Sequence, residues 1–75
     1  MPGRRLRGLP AREAIKAFER AGDVRRKKGR GSHVNLKMPN GQIVTIPNRR
    51  TLKVGLLRSV IAKGGLTEEQ FLQLL

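Results

Sequence analysis

The side-chain type best suited to moving protons near neutral pH occurs once in this chain, as His33. It follows Gly31 and Ser32, and a basic run leads into it. Arg25, Arg26, Lys27, Lys28 and Arg30 fill five of the six positions from 25 to 30. This combination fits what RNA cleavage by the ribose 2′-hydroxyl needs. One proton leaves the attacking oxygen, one reaches the departing oxygen, and the charge building on the phosphoryl group is stabilised. Histidine performs either transfer, a contribution of roughly 10²–10⁴-fold, while Lys and Arg stabilise the charge. Gly31 lets the backbone approach a phosphate closely, and Ser32 adds a hydroxyl. The scheme calls for no metal and no cofactor. Taken alone, a single exposed histidine in a basic chain is most often an ordinary polar surface residue, so composition and spacing do not by themselves show catalysis.

The rest of the composition narrows the choices. Seventy-five residues with 17 Lys and Arg against 5 Asp and Glu carry a formal net charge of +12. That is room for one small domain and excludes a two-domain enzyme. The absence of cysteine excludes a disulfide framework, a thiol nucleophile and a cysteine-based zinc site, and one histidine cannot build a His-rich metal site. No apolar run approaches the roughly 20 residues needed to cross a bilayer. No apolar stretch follows the N-terminal arginines as it would in a signal peptide, so the chain is read as cytoplasmic. Its expected partners are anionic, nucleic acid ahead of an acidic protein or a lipid surface. The only aromatics, Phe18 and Phe71, sit at helical core spacing. Base-stacking platforms need exposed rings, so backbone or groove binding is favoured.

The elements that must position His33 follow from periodicity. Residues 1–9 hold Arg4, Arg5 and Arg7 and little to pack, which reads as a flexible basic arm ahead of a single domain over 10–75. Ala11, Ala14, Ile15, Phe18 and Ala21 recur at helical spacing, predicting a helix from Pro10 to Ala21 that Gly22 stops. Asp23 to Lys28 reads as a short edge strand or extended segment, and 29–31 as a turn. Val34, Leu36 and Met38 alternate with His33, Asn35 and Lys37, the pattern of a half-buried strand. Ile43 to Pro47 return as its partner. After the basic loop 48–51, Leu52, Leu56, Leu57, Val60 and Ile61 predict a helix over Val54–Lys63. Gly55 in its first turn costs about 1 kcal/mol against Ala unless close backbone approach needs it. Thr67 and Gln70 form a capping box that opens a short last helix. Helix, three strands, helix and short helix make an α+β fold, an antiparallel sheet with helices on one face.

Register decides where His33 points. A two-residue loop at Asn40 and Gly41 would pair Leu36 with Thr45 and mix polar with apolar on both faces. A three-residue loop, Pro39 to Gly41, pairs Leu36 with Val44 and Val34 with Ile46 on one face. It then sets Asn35 beside Thr45 and Lys37 beside Ile43 on the other. Pro39 suits the first turn position and Gly41 the left-handed position of that loop type. His33 therefore lies on the solvent side of the sheet or at its rim, opposite the helices. Lys37 shares its side, and Arg49 and Arg50 can join from the loop.

The order of these motifs resembles a known family. LPAREAIKAFERAG, KKGRGSHVNLKMPNGQIVTIP and LKVGLLRSVIAKGGLTEEQFLQL together are similar to the HicA (YcfA-like) toxins of toxin–antitoxin pairs. The resemblance runs from about Leu9 to the C-terminus, and the Gly31-Ser32-His33 triplet is its most specific part. It implies a double-stranded-RNA-binding-domain-like fold and metal-independent endonucleolytic cleavage of mRNA by a type II toxin, with His33 as the catalytic residue. RNA-binding residues on this reading are Arg25, Arg26, Lys27, Lys28, Arg30, Gly31, Ser32 and Lys37. The implied protein partner is a HicB-type antitoxin covering the active face, with no membrane and no small-molecule cofactor. The chain departs from many relatives at Asp23, where they carry an aromatic residue. It also lacks their second histidine after the strand-ending proline, having Asn48, Arg49 and Arg50 instead. Where that histidine assists proton transfer, this chain offers water or a lysine.

Two other function classes share these features. A non-catalytic RNA- or DNA-binding module would use the same basic face and bind with steep salt dependence but without cleavage. An interaction protein would dock an acidic partner and show no nucleic-acid affinity at low salt.

Overall fold

The structure, a computed structural model, describes residues 5–22, 24–27 and 31–75. Its elements are α1 (Ala11–Glu19), β1 (Arg25–Lys27), β2 (His33–Lys37), β3 (Ile43–Pro47), α2 (Val54–Lys63) and α3 (Glu68–Leu74). The strands form one antiparallel sheet in the order β1-β2-β3. The helices cover one of its faces, giving the helix–three-strand–helix α+β arrangement of a double-stranded-RNA-binding-like domain with an added C-terminal helix.

The core is built from the periodic apolar positions. Leu36, Val44 and Ile46 are fully buried under the helices, with Met38 nearly so. Above them pack Ala14, Ile15, Ala17 and Phe18 of α1 and Leu57 and Ile61 of α2. Phe71 of α3 stacks on Phe18, their ring centroids 4.8 Å apart and tilted by 49°. Such aromatic pairs contribute about 0.5–1.5 kcal/mol beyond their burial. Thr67 caps α3 as its spacing predicts. The Gln70 amide donates to Thr67 Oγ1 over 3.0 Å and the Thr67 amide to Gln70 Oε1 over 2.9 Å.

The β2–β3 hairpin has the register derived from the alternation: Val34 opposite Ile46, Asn35 opposite Thr45, Leu36 opposite Val44 and Lys37 opposite Ile43. Its loop is the three-residue one. The Met38 amide donates to the Gln42 carbonyl over 2.8 Å and the Gly41 amide to the Met38 carbonyl over 2.9 Å. Gly41 has φ +87°, a left-handed conformation that favours glycine. Asn40 anchors the tip, donating from Nδ2 to the Lys63 carbonyl at the end of α2.

Two expectations are corrected. Over residues 5–9 the N-terminal segment is packed: Leu6 and Leu9 are 5% and 3% exposed and belong to the core. The Leu52 amide donates to the Leu9 carbonyl over 2.8 Å, and the Ala11 amide to the Arg49 carbonyl over 2.9 Å. These bonds dock the segment on the loop before α2. The helix α1 is also shorter than its apolar pattern: the Arg20 amide is shared between the Lys16 and Ala17 carbonyls, and the Ala21 amide donates to the Phe18 carbonyl three residues back, which tightens the last turn. Met1–Arg4, Asp23, Lys28, Gly29 and Arg30 lie outside the described residues.

Candidate active site on the open face of the sheet

Alternation along the strands sorts the charged side chains. Residues paired across an antiparallel ladder share a face. Arg25 pairs with Lys37, Lys27 with Asn35, Asn35 with Thr45, and His33 with Pro47, so all of these stand on the face away from the helices. Thr45 Oγ1 donates to Asn35 Oδ1 over 2.7 Å and ties β3 to β2 on this side. The four described acidic residues sit elsewhere, Glu13 and Glu19 on α1, Glu68 and Glu69 on α3. Arg25, Lys27 and Lys37 thus share the open face with no described carboxylate on it.

Arg26 does not join them. It pairs with the buried Leu36, which turns it toward the helix side, where its Nε donates to Glu19 Oε2 over 2.8 Å. The hydrogen bond first, and the carboxylate charge second, raise the Arg26 pKa above its ordinary value. Expected from the sequence to join the RNA-facing cations, Arg26 stands instead on the helix side, because the same strand points alternate cations to opposite sides. Lys28 and Arg30 fall outside the described residues.

His33 opens β2 and is exposed at the rim of the sheet. The ladder runs one step past it, since the Asn48 amide donates to the Ser32 carbonyl over 2.7 Å. Gly31 enters the strand with φ +56°, and a Cβ built on it would meet nothing within 4 Å. The glycine is thus required by the backbone angle rather than by crowding, and it leaves the approach to Ser32 and His33 open. Beside the imidazole lies an open groove of about 290 Å³ whose other polar walls are Arg49, Thr51 and Lys53. An imidazole, a guanidinium, an ammonium and a hydroxyl therefore line one concavity. That set can bind a phosphodiester, move a proton at it and neutralise added charge.

Thr51 and Lys53 were not singled out from the sequence. A signal for them existed in the register, which sets Pro47 opposite His33 and so brings the following loop past the imidazole. Among the described residues no group of three His, Asp or Glu side chains could hold a metal ion. No helix among them is long and apolar enough to cross a membrane.

The family model for the HicA toxin of bacterial toxin–antitoxin systems matches residues 11–66. The chain belongs to the HicA toxin family. The matched stretch begins at α1, includes the whole sheet with Gly31, Ser32 and His33, and ends just beyond α2. Among curated proteins none matches the chain. Membership in the HicA family makes the protein the toxin of a toxin–antitoxin pair and implies an antitoxin partner. The α3 helix, with Phe71, lies beyond the matched residues yet completes the core under the HicA sheet.

Proposed function

We propose that this HicA-family toxin is an endoribonuclease that cuts mRNA in the cytoplasm without a metal, with His33 as its general acid or base. The observation that carries the reading is the juxtaposition in one groove of the exposed His33 with Arg49, Thr51 and Lys53. The 2′-oxygen attacks phosphorus and the bond from phosphorus to the 5′-oxygen breaks. His33 takes the proton from the first oxygen or delivers one to the second. Water or a lysine serves the other oxygen, Lys53 lining the same groove as His33. Arg49 and Lys53 stabilise the charge that grows on the phosphoryl oxygens. Arg25, Lys27 and Lys37 hold the flanking backbone across the open face, which fits affinity without sequence readout. The antitoxin, of HicB type on this reading, covers the same face.

Incubating the purified protein with end-labelled mRNA in excess EDTA tests this. Cleavage is expected at the rate seen without chelator, giving fragments with a 5′-hydroxyl. Salt-sensitive binding with no fragments under any condition would instead select the non-catalytic nucleic-acid-binding reading. That alternative draws on a specific observation: no second histidine accompanies His33.

A further inference from the structure

A second concavity among the described residues is larger than the one beside His33. A cleft of about 490 Å³ lies between the start of α1 and the loop that follows β3, with Arg12, Arg49 and Arg50 in its walls and Gly8 at its edge. Arg49 also lines the His33 groove, so the two concavities adjoin through one side chain. No described acidic residue lines either of them. The side chains of Arg12, Arg49 and Arg50 make no hydrogen bond or ion pair within the described protein, whereas Arg26 and Arg58 are satisfied by Glu19 and Glu68.

The cleft is held in shape by backbone. The Ala11 amide donates to the Arg49 carbonyl and the Leu52 amide to the Leu9 carbonyl, fixing residues 9–11 against residues 49–52. Because the first amide of α1 is spent on that carbonyl, the positive charge on offer comes from the three guanidiniums. Clustering them costs stability: Arg12 and Lys16 are like charges one helical turn apart, and Arg49 and Arg50 are adjacent. An arginine fork binds phosphate oxygens bidentately, which offsets such a cost once an anion is present.

We propose that Arg12, Arg49 and Arg50 form a second, non-catalytic phosphate site, which takes the backbone of the RNA strand leading away from the bond positioned at His33. The inference rests on the ribonuclease reading. It adds a direction to it: the strand leaves the groove through Arg49 toward α1, in addition to contacts on the open face of the sheet.

The test uses a His33→Ala parent, so that RNA is bound but not cut, and a short fluorescent single-stranded RNA titrated at several salt concentrations. Adding Arg12→Gln and Arg50→Gln is expected to weaken binding by about tenfold or more at low salt and to flatten the log–log salt slope by about 1.4, two contacts at roughly 0.7 each. Arg50→Gln alone, outside any helix, is expected to flatten it by about half as much. A control pair of equal charge, Arg58→Gln with Lys63→Gln on α2, is expected to leave the slope unchanged. Equal effects of the two pairs, or none from the cleft pair, overturn the second site while leaving the ribonuclease reading intact. So does a loss confined to binding of an acidic partner protein. A His33→Ala parent with no RNA affinity at all overturns both.

Discussion

The two faces of the β2–β3 ladder are made from the same ten residues and have opposite characters. On the covered side Leu36, Val44 and Ile46 have no exposed surface and share one core cluster with residues of the helices. On the open side His33, Lys37, Ile43 and Thr45 are exposed, and a side-chain hydrogen bond from Thr45 to Asn35 links the two strands there. The alternation of β-structure separates the residues that hold the fold from those available for chemistry, residue by residue along one strand. A substitution that changes one side should therefore leave the other nearly untouched.

The largest expected effect is on the covered side and comes from outside the stretch matched by the family. Phe71→Ala removes the ring stacked on Phe18 and should cost about 3–5 kcal/mol, most of the stability of a domain this small. Urea unfolding measures it, and a midpoint left in place would break the division between the faces. Next comes the groove. Lys53→Ala should lower the RNA cleavage rate by up to about 10²-fold, less than a buried donor would cost because the groove is open. Its unfolding midpoint should not move, and a parallel fall in stability would contradict a role confined to the site.

A smaller effect is expected at Gly55. A Cβ there meets nothing within 4 Å, so no close approach of the backbone within the fold explains the glycine. Gly55→Ala should stabilise the protein by about 1 kcal/mol in the same urea experiment. The smallest effect sharpens the comparison within one strand. Lys27→Ala should flatten the salt slope of RNA binding by about 0.7. Arg26→Ala, next to it but turned to Glu19, should leave that slope alone and cost at most about 1 kcal/mol as an exposed ion pair. Equal slopes from the two variants would erase the distinction between the faces.

How much of this was legible beforehand differs by element for physical reasons. The β2–β3 register could be read because Val34, Leu36, Val44 and Ile46 permit one pairing that keeps apolar with apolar, and Pro39, Asn40 and Gly41 favour the loop that produces it. The limits of α2 were likewise marked by its leucines and by Gly64. The strand β1 was different. Arg25, Arg26 and Lys27 contain no apolar residue to set a phase, so only pairing with β2 decides which cation faces outward. Leu6 and Leu9 were hidden by the arginines around them, and their burial depends on docking against a loop distant in sequence. Lys53 and Thr51 carry no periodic signal, and they reach His33 only because β3 ends opposite the start of β2.

Comparing single-turnover RNA cleavage by the wild type and by His33→Ala bears most directly on catalysis at the open face. His33 is exposed and lies outside the hydrophobic core, so the variant should fold with an unchanged circular dichroism spectrum and unfolding midpoint. Its cleavage rate should fall by roughly 10²–10⁴-fold. A folded His33→Ala protein that cuts RNA at the wild-type rate would contradict the assignment of proton transfer to this residue.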